Sequence, residues 1–139
     1  VAISIATDVH IIVNGVTLSD HVTKVTTDDN RAKKDITCMG ATSVAYAKGL
    51  GDASVSVTFL QDFAAGKVHA TLQPLIGSST PVNVEIRPTS GGRTATNPAY
   101  LISALLFNYG MVDAQVGEPS AMTCEFTNAS QTGVTYPTA

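Results

Sequence analysis

The chain has 139 residues and a mass of 14.4 kDa, one domain by length and enough to bury a core without metals or staples. Apolar residues reach 44%, which excludes disorder as a whole, while charged residues make up only 14%, against roughly a quarter in an average globular protein. With a net charge of −3 and no basic surplus, the chain lacks the means to displace counterions from phosphate, which excludes tight nucleic-acid binding and attachment to an anionic membrane.

Hydroxyls replace the missing charges. Ser and Thr together number 29, and Val, Ile and Thr together number 41. β-Branched residues fit a pleated surface better than a helix, so the composition points to a mainly β domain.

In chain order, the run 9–13 leads into Asn14-Gly15 and then Val16-Thr17-Leu18. Asn-Gly between β-branched runs predicts a tight hairpin, because both turn positions require positive φ. Ser19-Asp20-His21 is a polar turn or cap, and 22–27 is a further strand. The segment 28–52 differs from its surroundings. It holds Asp28, Asp29, Arg31, Lys33, Lys34, Asp35, Lys48 and Asp52, eight of the 19 charged residues, with weak apolar alternation. A stretch this long without core character predicts a projecting arm or long hairpin, with 36–39 and 44–47 as its strand pieces.

Val55, Val57 and Phe59 alternate with hydroxyl residues and predict a half-buried strand. Val68, Leu72, Leu75 and Ile76 follow helical spacing, with Asp62 as the expected N-cap and Pro74 ending the helix near Gln73. Val82, Val84 and Ile86 form the next alternating strand. A Thr-, Ser- and Gly-rich loop covers 88–98. The run 99–108 is apolar on both faces and predicts a central strand. A weaker strand is expected at 111–116, then a turn at Gly117-Glu118-Pro119, then Met122, Cys124 and Phe126 alternating on a last strand. The polar tail from Asn128 onward is expected to be disordered or an arm.

No arrangement points to catalysis, a cofactor or a metal. Ser19-Asp20-His21 has the residue types of a hydrolase triad, but contiguous residues cannot converge as that relay requires. His10, His21 and His69 lack ligand spacing and read as surface or boundary residues. Ser90-Gly91-Gly92-Arg93-Thr94 lacks the Lys-Ser/Thr of a phosphate loop and reads as a hairpin tip. Asp28 and Asp29 do not begin a calcium loop, since Arg31, Lys33 and Lys34 follow at once. Cys38 and Cys124 read better as two thiols than as a bridge. No run approaches a membrane span, and the apolar stretch before Asp8 has no basic region of the kind that marks a signal peptide.

The run 57–109, VTFLQDFAAGKVHATLQPLIGSSTPVNVEIRPTSGGRTATNPAYLISALLFNY, resembles the major tail, or tail-tube, proteins of long-tailed phages infecting actinobacteria. The likeness lies in the Gln61-Asp62-Phe63 step into a short helix, in Arg87-Pro88-Thr89 after a Val-rich strand, and in the Thr96-Asn97-Pro98 entry to the next strand. Upstream, Leu18-Ser19-Asp20-His21-Val22 is similar too, so the resemblance covers about three quarters of the chain. It implies a single tail-tube domain over 1–139: a β-sandwich or half-barrel with one short flanking helix and a long projecting loop. It also implies self-assembly into hexameric rings stacked as a tube, contact with other tail proteins, and passage of genomic DNA without specific binding. The place of action would be the virion, after synthesis in the host cytoplasm, with no membrane anchor, catalysis or cofactor. The inter-subunit contact then falls on the 28–52 arm.

Size permits this. A domain of this length approximates a sphere roughly 37 Å across. Six touching spheres enclose a hole about as wide as one of them, wide enough for a nucleic-acid duplex. Two other functions remain open: an extracellular β-sandwich adhesion or binding module, supported by a Cys38–Cys124 pairing with the polar Thr/Ser-rich surface, and another tail component such as a tail terminator.

Overall fold

The structure, a computed structural model, describes residues 8–138. The apolar stretch preceding Asp8 lies outside them. Among the described residues, seven strands and one helix follow in the order β1 (His10–Val13), β2 (Val16–Thr17), β3 (Val22–Asp35), β4 (Tyr46–Leu60), α1 (Val68–Ile76), β5 (Val82–Arg87), β6 (Tyr100–Tyr109) and β7 (Ala121–Asn128). A single 3-10 turn, Ser19–His21, stands between β2 and β3. The fold is mainly β, as the composition predicts.

All strands join one antiparallel sheet in the order β2-β1-β5-β6-β7-β4-β3. β6 lies at its centre, as its apolar run predicts. The two outermost strands, β2 and β3, are joined by only the few residues from Leu18 to His21, so the sheet must curl until its edges approach. Tyr100 of β6 accordingly reaches across to the Asp28 carbonyl of β3. The result is a half-barrel with an open seam, along which runs a groove of about 850 Å³.

The strand pairings set the core. Val55 faces Phe126, Val57 faces Cys124 and Phe59 faces Met122 across β4 and β7. Val84 faces Ile102 and Ile86 faces Tyr100 across β5 and β6, and Ile11 faces Ile86 across β1 and β5. Every one of these pairs points inward, because side chains alternate and a one-residue slip would turn the whole set outward. Phe59 and Phe126 are fully buried, each contributing about 1.5–3 kcal/mol from apolar burial. The helix covers the inner face with Val68, Leu72 and Leu75, all members of the core. The Asn14-Gly15 turn forms as predicted, with φ of 50° and 80°.

Four expectations need correction. The helix N-cap is Lys67, not Asp62, whose carboxylate instead accepts from the Ala64 N–H at 2.9 Å within the preceding loop. Pro74 lies inside the helix, which runs to Ile76. Pro74 has no N–H to offer the Ala70 carbonyl, so one ladder bond is lost, and the residues it adds to the helix bury Leu75. Segment 111–116 is not a strand. Its backbone makes only isolated main-chain bonds, Ala121 N–H to Asp113 O at 3.2 Å and Glu118 N–H to Gln115 O at 3.0 Å, and it forms an irregular loop with Met111, Val112 and Val116 exposed. The tail beyond Asn128 is docked against the body. It occupies the place beside β6 that β7 leaves, through reciprocal Leu101–Thr135 backbone bonds of 3.0 Å and Ala99 N–H to Pro137 O, also 3.0 Å.

Candidate assembly surface

The charged segment becomes the outer half of the β3–β4 hairpin. β7 pairs with β4 only from Ser54 onward, so beyond Ala53 the hairpin is a two-stranded ribbon. Its register places Asn30 opposite Asp52, Arg31 opposite Gly51, Lys33 opposite Lys48, Lys34 opposite Ala47 and Asp35 opposite Tyr46. Of the expected strand pieces, 36–39 belongs to the turn, and 44–47 is strand only at Tyr46 and Ala47, where β4 begins. Strand structure runs farther through the charged residues than apolar alternation implies, because a ribbon wet on both faces needs none. Every residue from Asn30 to Tyr46 is exposed.

This ribbon carries apolar side chains that its own body leaves uncovered: Ile36, Met39, Val44, Tyr46 and Leu50. Met39 and Leu50 are 103% and 89% exposed, which separates them from ordinary half-covered surface residues. Its charges are graded. Asp28, Asp29 and Asp52 mark the root, with Arg31 bonded to the Asp29 carboxylate. Lys33, Lys34 and Lys48 mark the outer part, with the Asp35 carboxylate accepting from the Thr37 N–H at 2.9 Å. Lys33 and Lys48 face each other directly, which destabilises an isolated ribbon. The Lys33 ammonium lies 4.0 Å from the Tyr46 ring centre. The Arg31 guanidinium lies over Gly51, so a Cβ there would displace that flexible side chain.

Two tyrosines fix the ribbon to the body. The Tyr100 hydroxyl donates to the Asp28 carbonyl at 2.6 Å. Burial, with Tyr136 and Asp29 nearby, pushes its pKa up to about 12. The Tyr136 hydroxyl donates to the Asp29 carboxylate at 2.6 Å, and its ring meets Tyr100 edge-on with centroids 5.9 Å apart. Hydrogen bonds from Tyr136 and Arg31 hold the Asp29 carboxyl below its ordinary range. Tyr136 was legible only as an aromatic in a polar tail, and its partner is 107 residues away in sequence.

At the other end of β4, Gln61 ties down the loop between β6 and β7. Its side-chain amide donates to the Met111 carbonyl at 2.7 Å, and its backbone N–H donates to the Ser120 carbonyl at 2.8 Å. Beside it, His21 bridges two carboxylates, with Nδ1 2.7 Å from Asp20 and Nε2 2.8 Å from Asp62. Burial opposes the imidazolium, but the bonds to Asp20 and Asp62 outweigh it and raise the His21 pKa.

The remaining candidates stay apart. His10 contacts the Ser19 hydroxyl, and His69 contacts the Tyr109 hydroxyl at 2.6 Å. Among the described residues, no group of three His, Cys, Asp or Glu is placed to hold a metal ion. No helix among them is long and apolar enough to cross a membrane. Residues 88–98 fold around Asn97, whose amide donates to Gly91 O at 3.0 Å and Gly92 O at 3.1 Å. That loop carries Arg93 onto Glu85, an expected surface residue that is buried under it. Cys38 is exposed in the turn of the ribbon, Cys124 is buried in β7, and both thiols are free. Burial pushes the Cys124 thiol up to about 12.

No protein-family model and no curated protein matches the sequence. Solved structures are similar to it. A chain of the SPP1 tail tube superposes with a TM-score of 0.76 at 10% identity, covering 99% of this chain and 80% of that one. A chain from the virion of a native gene transfer agent particle gives 0.75 at 8% identity, covering 97% and 99%. A chain from the C6-symmetric tail of an empty gene transfer agent particle gives 0.66 at 8% identity, covering 84% and 82%. The shared feature at such identities is the fold.

Proposed function

We propose that the chain is a structural virion protein that self-assembles into hexameric rings stacked as a phage tail tube, the conduit for genome delivery. The observation that carries this is the superposition of nearly the whole chain on a tail-tube subunit. The ribbon supports it independently. An isolated two-stranded hairpin is marginal in water, and this one carries opposed lysines and uncovered apolar side chains. A neighbouring subunit removes both liabilities. The low charge elsewhere fits a molecule whose surface is shared among neighbours.

On this proposal Asp28, Asp29, Arg31, Lys33, Lys34, Asp35, Lys48 and Asp52 form an inter-subunit arm. The protein acts by assembly, without catalysis or cofactor. Other tail proteins meet the ends of the tube, and genomic DNA passes through the lumen, repelled by the acidic subunit. Synthesis in the host cytoplasm and an actinobacterial host follow from the sequence resemblance alone.

Negative-stain electron microscopy of the purified protein tests this. Hollow tubes or stacked six-fold rings are expected. A protein that stays monomeric at high concentration, even when seeded with tubes of a related subunit, refutes it. Isolated rings that never stack favour a tail terminator. The adhesion-module alternative loses its one supporting feature, since Cys38 and Cys124 are both free.

A further inference from the structure

β4 connects two surfaces at opposite poles of the molecule. At its first residue, Tyr46, it belongs to the ribbon, with Lys33, Lys34 and Lys48 around exposed Ile36, Met39 and Val44. At its last residue, Leu60, it pairs with Ala121, next to the loop 110–120 that Gln61 holds in place. That loop exposes Met111, Val112 and Val116. It carries Asp113 and Glu118 and no Lys or Arg. Val116 is 101% exposed, so none of the described residues covers it.

We infer that loop 110–120 is the receptor for the ribbon of a second copy of this chain. The two surfaces match in kind: each exposes apolar side chains, one on a hairpin that carries three lysines and the other on a loop that carries two carboxylates. Opposite charge across a rim selects partner and register, while the apolar centres are what association buries. Their placement decides the geometry. Two complementary surfaces at opposite ends of one strand let each copy offer its ribbon to one neighbour and its loop to another, the arrangement the tail-tube proposal requires, whereas a two-fold pair would stop at two copies. The surfaces then repeat head to tail, and a head-to-tail contact that does not close builds an open stack. The step between copies then lies along β4, whose 15 residues span roughly 50 Å at about 3.3 Å per residue. Asp35 offsets one of the three lysine charges, and the outer ribbon, with Lys33, Lys34 and Lys48, stays net positive. This inference rests on the tail-tube proposal and adds to it the residues that receive the arm.

The exposed Cys38 supplies the test, with Val116→Cys as its partner and Glu125→Cys, exposed on the outer face of β7, as the control. Assembled protein is treated with a short bis-maleimide and run under denaturing conditions. The expected result is a ladder of covalent oligomers for Val116→Cys, and nothing beyond dimers for wild type and Glu125→Cys. Tubes that form without a Val116→Cys ladder, or with a ladder at position 125 instead, overturn the receptor assignment and leave the tail-tube proposal standing. Absence of any assembly in wild type removes both. A charge exchange gives a second readout. Lys33→Glu with Lys34→Glu should raise the critical concentration for assembly about tenfold or more, as expected for disrupted charge complementarity. Adding Asp113→Lys and Glu118→Lys to the same chain should restore it. Failure of that restoration, while each variant keeps the wild-type melting temperature, also overturns the assignment.

Discussion

Excising the ribbon separates folding from assembly. Asn30 and Asp52 face each other across the hairpin, so replacing residues 31–51 by Asn-Gly closes it with a two-residue turn. The deleted stretch contributes no side chain to the core, and the first buried residue after it is Ala53. The lost ladder bonds are offset by the chain entropy no longer spent on ordering two wet strands. The Arg31–Asp29 pair also goes, but an exposed ion pair contributes little. The net change in unfolding free energy should therefore stay within about 1 kcal/mol, which moves the melting temperature by no more than about 4 °C in a domain of this size. Tube formation should disappear. Circular-dichroism melts and negative-stain images of the same sample check both halves. A melting temperature lowered by more than about 10 °C would show that the ribbon is part of the folding unit and would refute the reasoning. Tubes that persist without it would refute its role.

Other outcomes follow from the same geometry. Tyr100→Phe removes the donor to the Asp28 carbonyl and should cost about 1 kcal/mol in urea unfolding; no change means the hydroxyl does not anchor the arm root. His21 gives a pH signature. Its pKa is raised in the fold, so its bridge stabilises fully below the ordinary histidine value of 6.5 and is lost as pH rises through the folded value. Asp62, held down by the Ala64 N–H and then by His21, and Asp20, held down by His21, contribute above the ordinary carboxylate value of 3.8 and lose their contribution as pH falls through their folded values. Melting temperatures should therefore decline from mildly acidic toward alkaline pH in wild type, and His21→Gln should flatten that decline; identical profiles exclude the bridge as its cause. Cys38 should react with a maleimide in the native protein, whereas Cys124 should react only on unfolding. Two thiols labelled at equal rates would contradict the placement of Cys124.

The sequence alone determined what depends on near neighbours. Asn14-Gly15 dictates its turn through backbone sterics, and the alternation in β4, β5 and β7 dictates which side chains face inward. The spacing of Val68, Leu72 and Leu75 dictates the buried face of the helix, and the clustering of Lys33, Lys34 and Lys48 with their acidic neighbours marks the segment that leaves the body. What only the tertiary structure decided depends on partners far away in the chain. A polar tail docks because β7 ends and leaves the backbone of Leu101 free to pair with Thr135. Glu85 is buried because loop 88–98 returns over it with Arg93. Asp62 serves His21 rather than the helix because the pairing of β3 with β4, which sets Val22 opposite Phe59, brings the turn before β3 beside the end of β4. Loop 110–120 stays irregular, though Met111, Val112 and Val116 are apolar, because β6 and β7, which it joins, are already paired on both sides by β5, by each other and by β4. Local sterics and periodicity act over a few residues and can be read from them directly. Which backbone edges remain open, and which apolar surface remains uncovered, is known only once every strand has found its place.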